Sequence, residues 1–431
     1  MSDYDCTIYN SPNCPKGLSV HREINSGVLN VLSVGCFGTY CWDGEITKTY
    51  WKEVENKDEI IDRILINMLE KSGVNKAKKE VGKLSQEEKE KKIQELTAIV
   101  GFDILDLFER ETDIYGQKSV VEGMAKYTSE NNVASLFLAG DNIYSYKVPK
   151  EALIELIKNA YEGKAEYPSK KQYRLDPAIS GHNIDKQLSE GFLDCFQGVE
   201  VKDFFLGVGN HDVQNCYDLN QQLKFNQNLY KMVGMYYNVR YVANNFSVNF
   251  LVIDTNMFSE KSTCNPKIAY TDDDRKKQIE WVISTLEENK SDWNVMVGHV
   301  PYKANGHKEK DPKIYNKGLE EVFQAVQKTG IKVQIYMCAD EHNQQFLYDP
   351  EKKLSLIVAG SGGTALDYEI QTKKSFMEIT KYLDAVFGFV SFSFTETVVD
   401  ITFIKSEVGA GEKVIPNFRV KVGISGDIVA V

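Results

Sequence analysis

Four stretches of the chain share one pattern: a short apolar run that passes straight into small, polar or charged residues. They read VLNVLSVGCFG (28–38), VASLFLAGDNIY (133–144), VKDFFLGVGNHDV (201–213) and DWNVMVGHV (292–300). Two further runs, VNFLVIDTN (248–256) and VQIYMCADEHN (333–343), read as strands of the same kind. Near-continuous apolar runs of this length predict strands covered on both faces. Between them lie amphipathic helices. GQKSVVEGMAKYTSEN (116–131) puts Val120, Val121, Met124 and Tyr127 on one stripe, and TDDDRKKQIEWVISTLEENK (271–290) does the same with Ile279, Val282, Ile283 and Leu286. Thr271 is the expected N-cap of the second helix, with acidic residues in its first turn. After residue 385 the period changes to two, in FGFVSFSFTETVVDITFIKS and then FRVKV, which predicts a closing antiparallel set.

The remaining patterns divide the chain. Residues 1–27 read as an N-terminal extension and 28–431 as one domain. Within it, 44–114 is a helical insertion and about 146–185 a looser one. EIIDRILINMLEKSG (59–73) is an amphipathic helix with a glycine just past its end, and LSQEEKEKKIQELTAIV (84–100) opens on a capping box, Ser85 with Glu88. The thin apolar stripe of that second helix fits a solvated insertion before it fits an arm that binds a protein partner.

Composition narrows the classes. Apolar residues make up 42% and charged residues 26%, as in an ordinary globular protein, and the net charge of −11 speaks against nucleic acid and against an anionic membrane surface. No apolar run approaches the ~20 residues of a membrane-spanning helix. The first residues, MSDYDCTIYNSPNCPKG, have neither a basic start nor an apolar core, so an intracellular location is expected, with secretion only for a processed form. Eight cysteines are spread along the chain without a CxxC, which fits separate thiols better than a disulfide framework, although a Cys6–Cys14 pair stays open.

Chemistry gathers at the strand ends. There are only six histidines, and His211, His299, His307 and His342 fall in or just after those motifs. A lone histidine at a strand end is usually structural, but several in sequence with Asp141, Asn210 and Asp340 are hard to explain by packing. Strand C-termini are also where open α/β sheets bind ligands. At these residues the chain resembles a known family. GDNIY, GNHD, VGHVPY and MCADEHNQQFL match, in order and spacing, the motifs of the calcineurin-like metallophosphoesterases, and look most like the small purple acid phosphatases. The similarity covers about 28–41 and 115–420.

That resemblance implies an α/β sandwich of two mixed β-sheets flanked by helices. It also implies one or two metal ions per chain (iron, zinc or manganese) that activate water for attack on a phosphate monoester, a small molecule or a phosphoprotein. Asp141 matches the carboxylate that bridges the metals and Tyr144 a phenolate ligand of the first metal. Asn210 and His299 match ligands of the second metal, and His342 a ligand of the first. His211 matches a histidine that assists the phosphate or its leaving group, and His307 lies near a substrate-side histidine. Two positions depart from the family pattern. GDxG is GCFG, so an aspartate ligand of the first metal is replaced by Cys36. GHxH is ADEH, so a histidine ligand of the second is replaced by Asp340. Asp340 can still bind a hard or borderline divalent metal. Cys36 reads first as a small buried residue filling the vacated space, then as a soft metal ligand, and last as a redox thiol. The expected function is a metal-dependent phosphoesterase, impaired or altered in metal preference. The competing expectation is an inactive relative with a binding or structural role, its partner engaged through 44–114.

Overall fold

In the computed structural model the described residues are 15–37, 76–85, 87–89, 114–143, 195–213, 216–225, 232–258, 270–306, 312–364, 376–406 and 414–430, with isolated positions at 62, 65, 66, 188, 192 and 366. Most of the 44–114 and 146–185 segments therefore lie outside them. All six apolar runs form strands. The first sheet has eight, in the spatial order β1 (Leu18–Glu23), β5 (Tyr237–Val242), β6 (Ser247–Val252), β7 (Trp293–Val297), β8 (Ile335–Cys338), β10 (Leu354–Ala359), β9 (Gln344–Asp349) and β11 (Thr380–Asp384). The second has seven, in the order β15 (Ile428–Ala430), β14 (Val414–Gly423), β13 (Val398–Ser406), β12 (Gly388–Phe394), β2 (Leu29–Val34), β3 (Val133–Leu138) and β4 (Asp203–Leu206). Both sheets are mixed. Strands β2, β3 and β4 run parallel, as do β6, β7, β8 and β10, whereas β12 to β15 pair antiparallel.

The period of two sorts each strand between two cores. Phe137 of β3, Phe250 of β6 and Val295 of β7 point into the space between the sheets, where the Phe137 and Phe250 rings stack at 4.4 Å and Trp293 meets Phe394 edge to face. The alternate residues of the same strands, such as Leu136, Leu138, Leu251 and Met296, face outward into a core shared with the helices. Helix α1 (Ile114–Glu130) buries Val120, Val121 and Met124 and packs across β12 and β13. Helices α3 (Asp272–Glu288) and α4 (Pro312–Thr329) contact each other, while α2 (Cys216–Lys224) follows the β4 loop. The chain is thus an α/β sandwich of two mixed sheets with helices outside.

Thr271 caps α3 as expected, inside a complete capping box with Asp274, and Ser85 and Glu88 form the other expected box. The N-terminal stretch differs from its reading as an extension. Residues 18–23 form β1, an edge strand parallel to β5, and Arg22 pairs with Asp203 of β4 at 2.8 Å. An edge strand buries one face poorly, so LSVHRE carries little hydrophobic signal. Its partner also lies over two hundred residues away in sequence. Among the described residues no helix is long and apolar enough to cross a membrane.

Candidate metal centre

The parallel strands of both sheets end on the same side, and their last residues meet. Cys36 follows β2, Asp141 follows β3, Asn210 follows β4, His299 follows β7 and Asp340 follows β8. Three of these turns use left-handed backbone at a non-glycine residue: Cys36 (φ 49°), Asp141 (φ 55°) and Asp340 (φ 65°). The loops come very close together. A Cβ at Gly209 would lie 2.1 Å from the Asp141 amide nitrogen, and one at Gly35 2.3 Å from the Ala339 methyl, so only glycine fits at either position. The second contact also shows how alanine is accommodated at 339, where the family pattern has glycine.

His299 is the centre of the cluster. Its Nδ1 lies 2.8 Å from the Ala139 carbonyl, which accepts that N–H and turns Nε2 inward. There Nε2 lies 3.0 Å from Asn210 Oδ1, 3.3 Å from Asp141 Oδ1 and 3.3 Å from Asp340 Oδ1. The Cys36 sulfur, an Asp141 oxygen and a His299 ring nitrogen also lie within 4.8 Å of one another. The whole group is buried except Asn210, which is half-buried.

This donor set fits a metal. Donors about 2.0–2.2 Å from one ion in a tetrahedral shell lie about 3.3–3.6 Å apart, close to the separations found here. An imidazole Nε2 lone pair facing three oxygens is repulsive unless a cation stands among them. That cation is either a metal or a proton on the ring itself. With the proton, burial would lower the His299 pKa, but the Asp141 and Asp340 carboxylates outweigh it and push it up to about 10. Asp141 shows the reciprocal effect. Burial would raise its pKa, yet His299 and then His211 hold it well below the usual carboxylate range.

The supporting shell includes residues that sequence reasoning assigned no role. The Asp212 carboxylate accepts the backbone N–H of Gly209 (2.8 Å), Asn142 (3.0 Å) and Ile143 (3.2 Å), tying the Asp141 and Asn210 loops together. Burial, then the charge of Asp141, pushes its pKa up. Thr255 Oγ1 accepts the amides of His299 (3.2 Å) and Val300 (2.9 Å). Asn256 donates its side-chain amide to the carbonyls of Val208 and Gly209, and is itself held by Asp254. The signal was present in VNFLVIDTN, another apolar run passing into polar residues, and in the last letter of GNHD.

Of the residues picked out from sequence, Cys36, Asp141, Asn210, His299 and Asp340 are brought together. His211 stands beside them, its amide donating to Asp141 Oδ1 at 2.9 Å. His342 sits half-buried on the turn two residues after Asp340. Tyr144 and His307 lie outside the described residues.

By sequence no family model and no curated protein matches this chain. Solved structures do. A purple acid phosphatase from yellow lupin (Lupinus luteus) seeds is 12% identical over 92% of this chain and 54% of its own, with a TM-score of 0.50, so this chain spans about half of that protein's length. The protein described as "GAP50 the anchor in the inner membrane complex of Plasmodium" is 13% identical over 90% and 88% of the two chains, at a TM-score of 0.48. PhoD is 12% identical over 74% and 69%, at 0.47. With two mixed sheets of eight and seven strands and its candidate ligands on converging strand ends, the chain has the fold of the calcineurin-like metallophosphoesterases.

Proposed function

We propose that this protein is a metal-dependent phosphoesterase acting on phosphate monoesters, with a metal preference altered by Cys36 and Asp340. The observation that supports it most is His299 Nε2 facing three oxygens at 3.0–3.3 Å, an arrangement that suits a cation held in their midst. Asp141, Asn210, His299 and Asp340 would hold the ion, and Tyr144 and His342 are the residues that the family resemblance assigns to a second one. When bound, such an ion supplies a Lewis acid for the phosphoryl oxygens and a nucleophile at neutral pH. The chain's own residues do the rest. Asp212 and Asn256 fix the loops, Ala139 sets the His299 tautomer, and His211 stands beside Asp141 to donate a proton to the leaving oxygen.

The test is phosphate release from an aryl phosphate by the full chain, supplied in turn with manganese, zinc, iron and magnesium between pH 4 and 9. Turnover that is lost in Asp141→Asn is expected. Metal binding without turnover under all these conditions would overturn the hydrolase reading. It would favour the second one, a non-catalytic binding body, which the replaced positions 36 and 340 motivate.

A further inference from the structure

Cys36 is held in a conformation that its residue type does not favour. Five non-glycine residues among those described have left-handed backbone, and three of them are Cys36, Asp141 and Asp340. Asp tolerates this region through local hydrogen bonds of its short polar side chain, whereas a cysteine there costs about 1–2 kcal/mol. The surroundings impose the conformation from every side. The Cys36 N–H donates to the Gly140 carbonyl at 3.0 Å, and its own carbonyl accepts from the Thr364 amide (3.0 Å) and hydroxyl (2.7 Å). Its sulfur accepts the Asp340 N–H at 3.2 Å. Glycine would make the same turn without strain, so the turn itself does not call for a side chain. The sulfur packs in the core between the sheets and at the same time lies, fully buried, within 4.8 Å of an Asp141 oxygen and a His299 nitrogen.

We propose that Cys36 is a thiolate ligand of that same ion, joining Asp141 and His299 in its shell, and that it makes the site selective for a borderline-soft divalent metal of the zinc class. The inference rests on the metal-binding reading of the site and deepens it. A sulfur, a carboxylate oxygen and an imidazole nitrogen are all zinc donors, with bonds of about 2.3 Å to sulfur and 2.0–2.2 Å to nitrogen or oxygen. Thiolate donors move preference away from magnesium and manganese. The backbone N–H of Asp340 on the sulfur is the outer hydrogen bond that such a ligand takes, and it stabilises the negative charge. On binding, the thiol proton leaves to solvent as the sulfur–metal bond forms, so loading releases a proton that an aspartate at position 36 would not.

The experiment is titration of the metal-free full chain with cobalt(II), followed by absorption. A thiolate–cobalt charge-transfer band in the near ultraviolet is expected, saturating near one equivalent and bleached by zinc. Cys36→Ser should lose the band and at least ~10-fold in cobalt affinity. Should that variant fail to fold, Cys36→Asp restores a ligand and should bind cobalt with no band and a preference shifted toward manganese. It also separates Cys36 from every other cysteine of the chain. Stoichiometric cobalt binding with no band, or a band undiminished in Cys36→Asp, would overturn the proposal. Absence of any metal binding would overturn it together with the metal-dependent reading. A band in a protein that releases no phosphate supports the thiolate site and overturns the hydrolase reading alone.

Discussion

At the scale of single residues, Asp212 shows how the site is held open. Three backbone amides from two loops converge on one buried carboxylate. Each buried donor left without an acceptor costs about 1–3 kcal/mol. Asp212→Ala should therefore lower stability by about 3 kcal/mol or more in urea unfolding and weaken zinc binding, since the Asp141 and Asn210 loops lose their common anchor. Unchanged stability would show that solvent or a shifted loop satisfies those amides. The candidate ligands themselves were legible in the sequence, because carboxylate, amide and imidazole groups stood at the ends of apolar runs. Asp212 was visible as a letter and not as a role. What a carboxylate accepts depends on a loop seventy residues away in sequence.

Among the elements, α3 does two jobs. Its second turn carries Gln278, which exchanges two hydrogen bonds of 3.0 Å with the backbone of Asp254 and so steadies Asn256 beneath the Asn210 loop. Its first turn is closed by Thr271 and Asp274, each side chain accepting the other's amide N–H. Losing a capping threonine costs about 1 kcal/mol. Thr271→Ala should lower the unfolding free energy measured in urea by that amount and leave zinc affinity unchanged, because fraying stops short of Gln278. A parallel loss of affinity would mean that the cap and the site are coupled. The helix and its cap could be read from local sequence, since both depend on residues three or four positions apart. Strand β1 could not be read, because it pairs only in parallel with β5 and leaves much of its own surface exposed.

For the whole molecule, the two sheets share one interior, and Phe137 of one stacks on Phe250 of the other. Truncating a buried phenylalanine costs about 3–5 kcal/mol. Phe137→Ala should lose that much. The far-ultraviolet signal and the tryptophan fluorescence, to which Trp293 of the same interior contributes, should change in one transition; separate transitions would show that the sheets unfold independently. This joint core also brings the site together. Cys36, Asp141 and Asn210 end strands of the seven-stranded sheet, and His299 and Asp340 end strands of the eight-stranded one. They meet only because the sheets are packed face to face. The sequence by itself determined the six apolar strands, the closing antiparallel set, helices α1 and α3, the candidate ligand types and the two departures from the family pattern, since these follow from local periodicity and side-chain chemistry. Only the tertiary structure decided that the Cys36 sulfur is pinned in a left-handed turn, packed in the core between the sheets and close to Asp141 and His299. Backbone strain and the distance between two sheets are set by contacts hundreds of residues apart, and no local pattern encodes them.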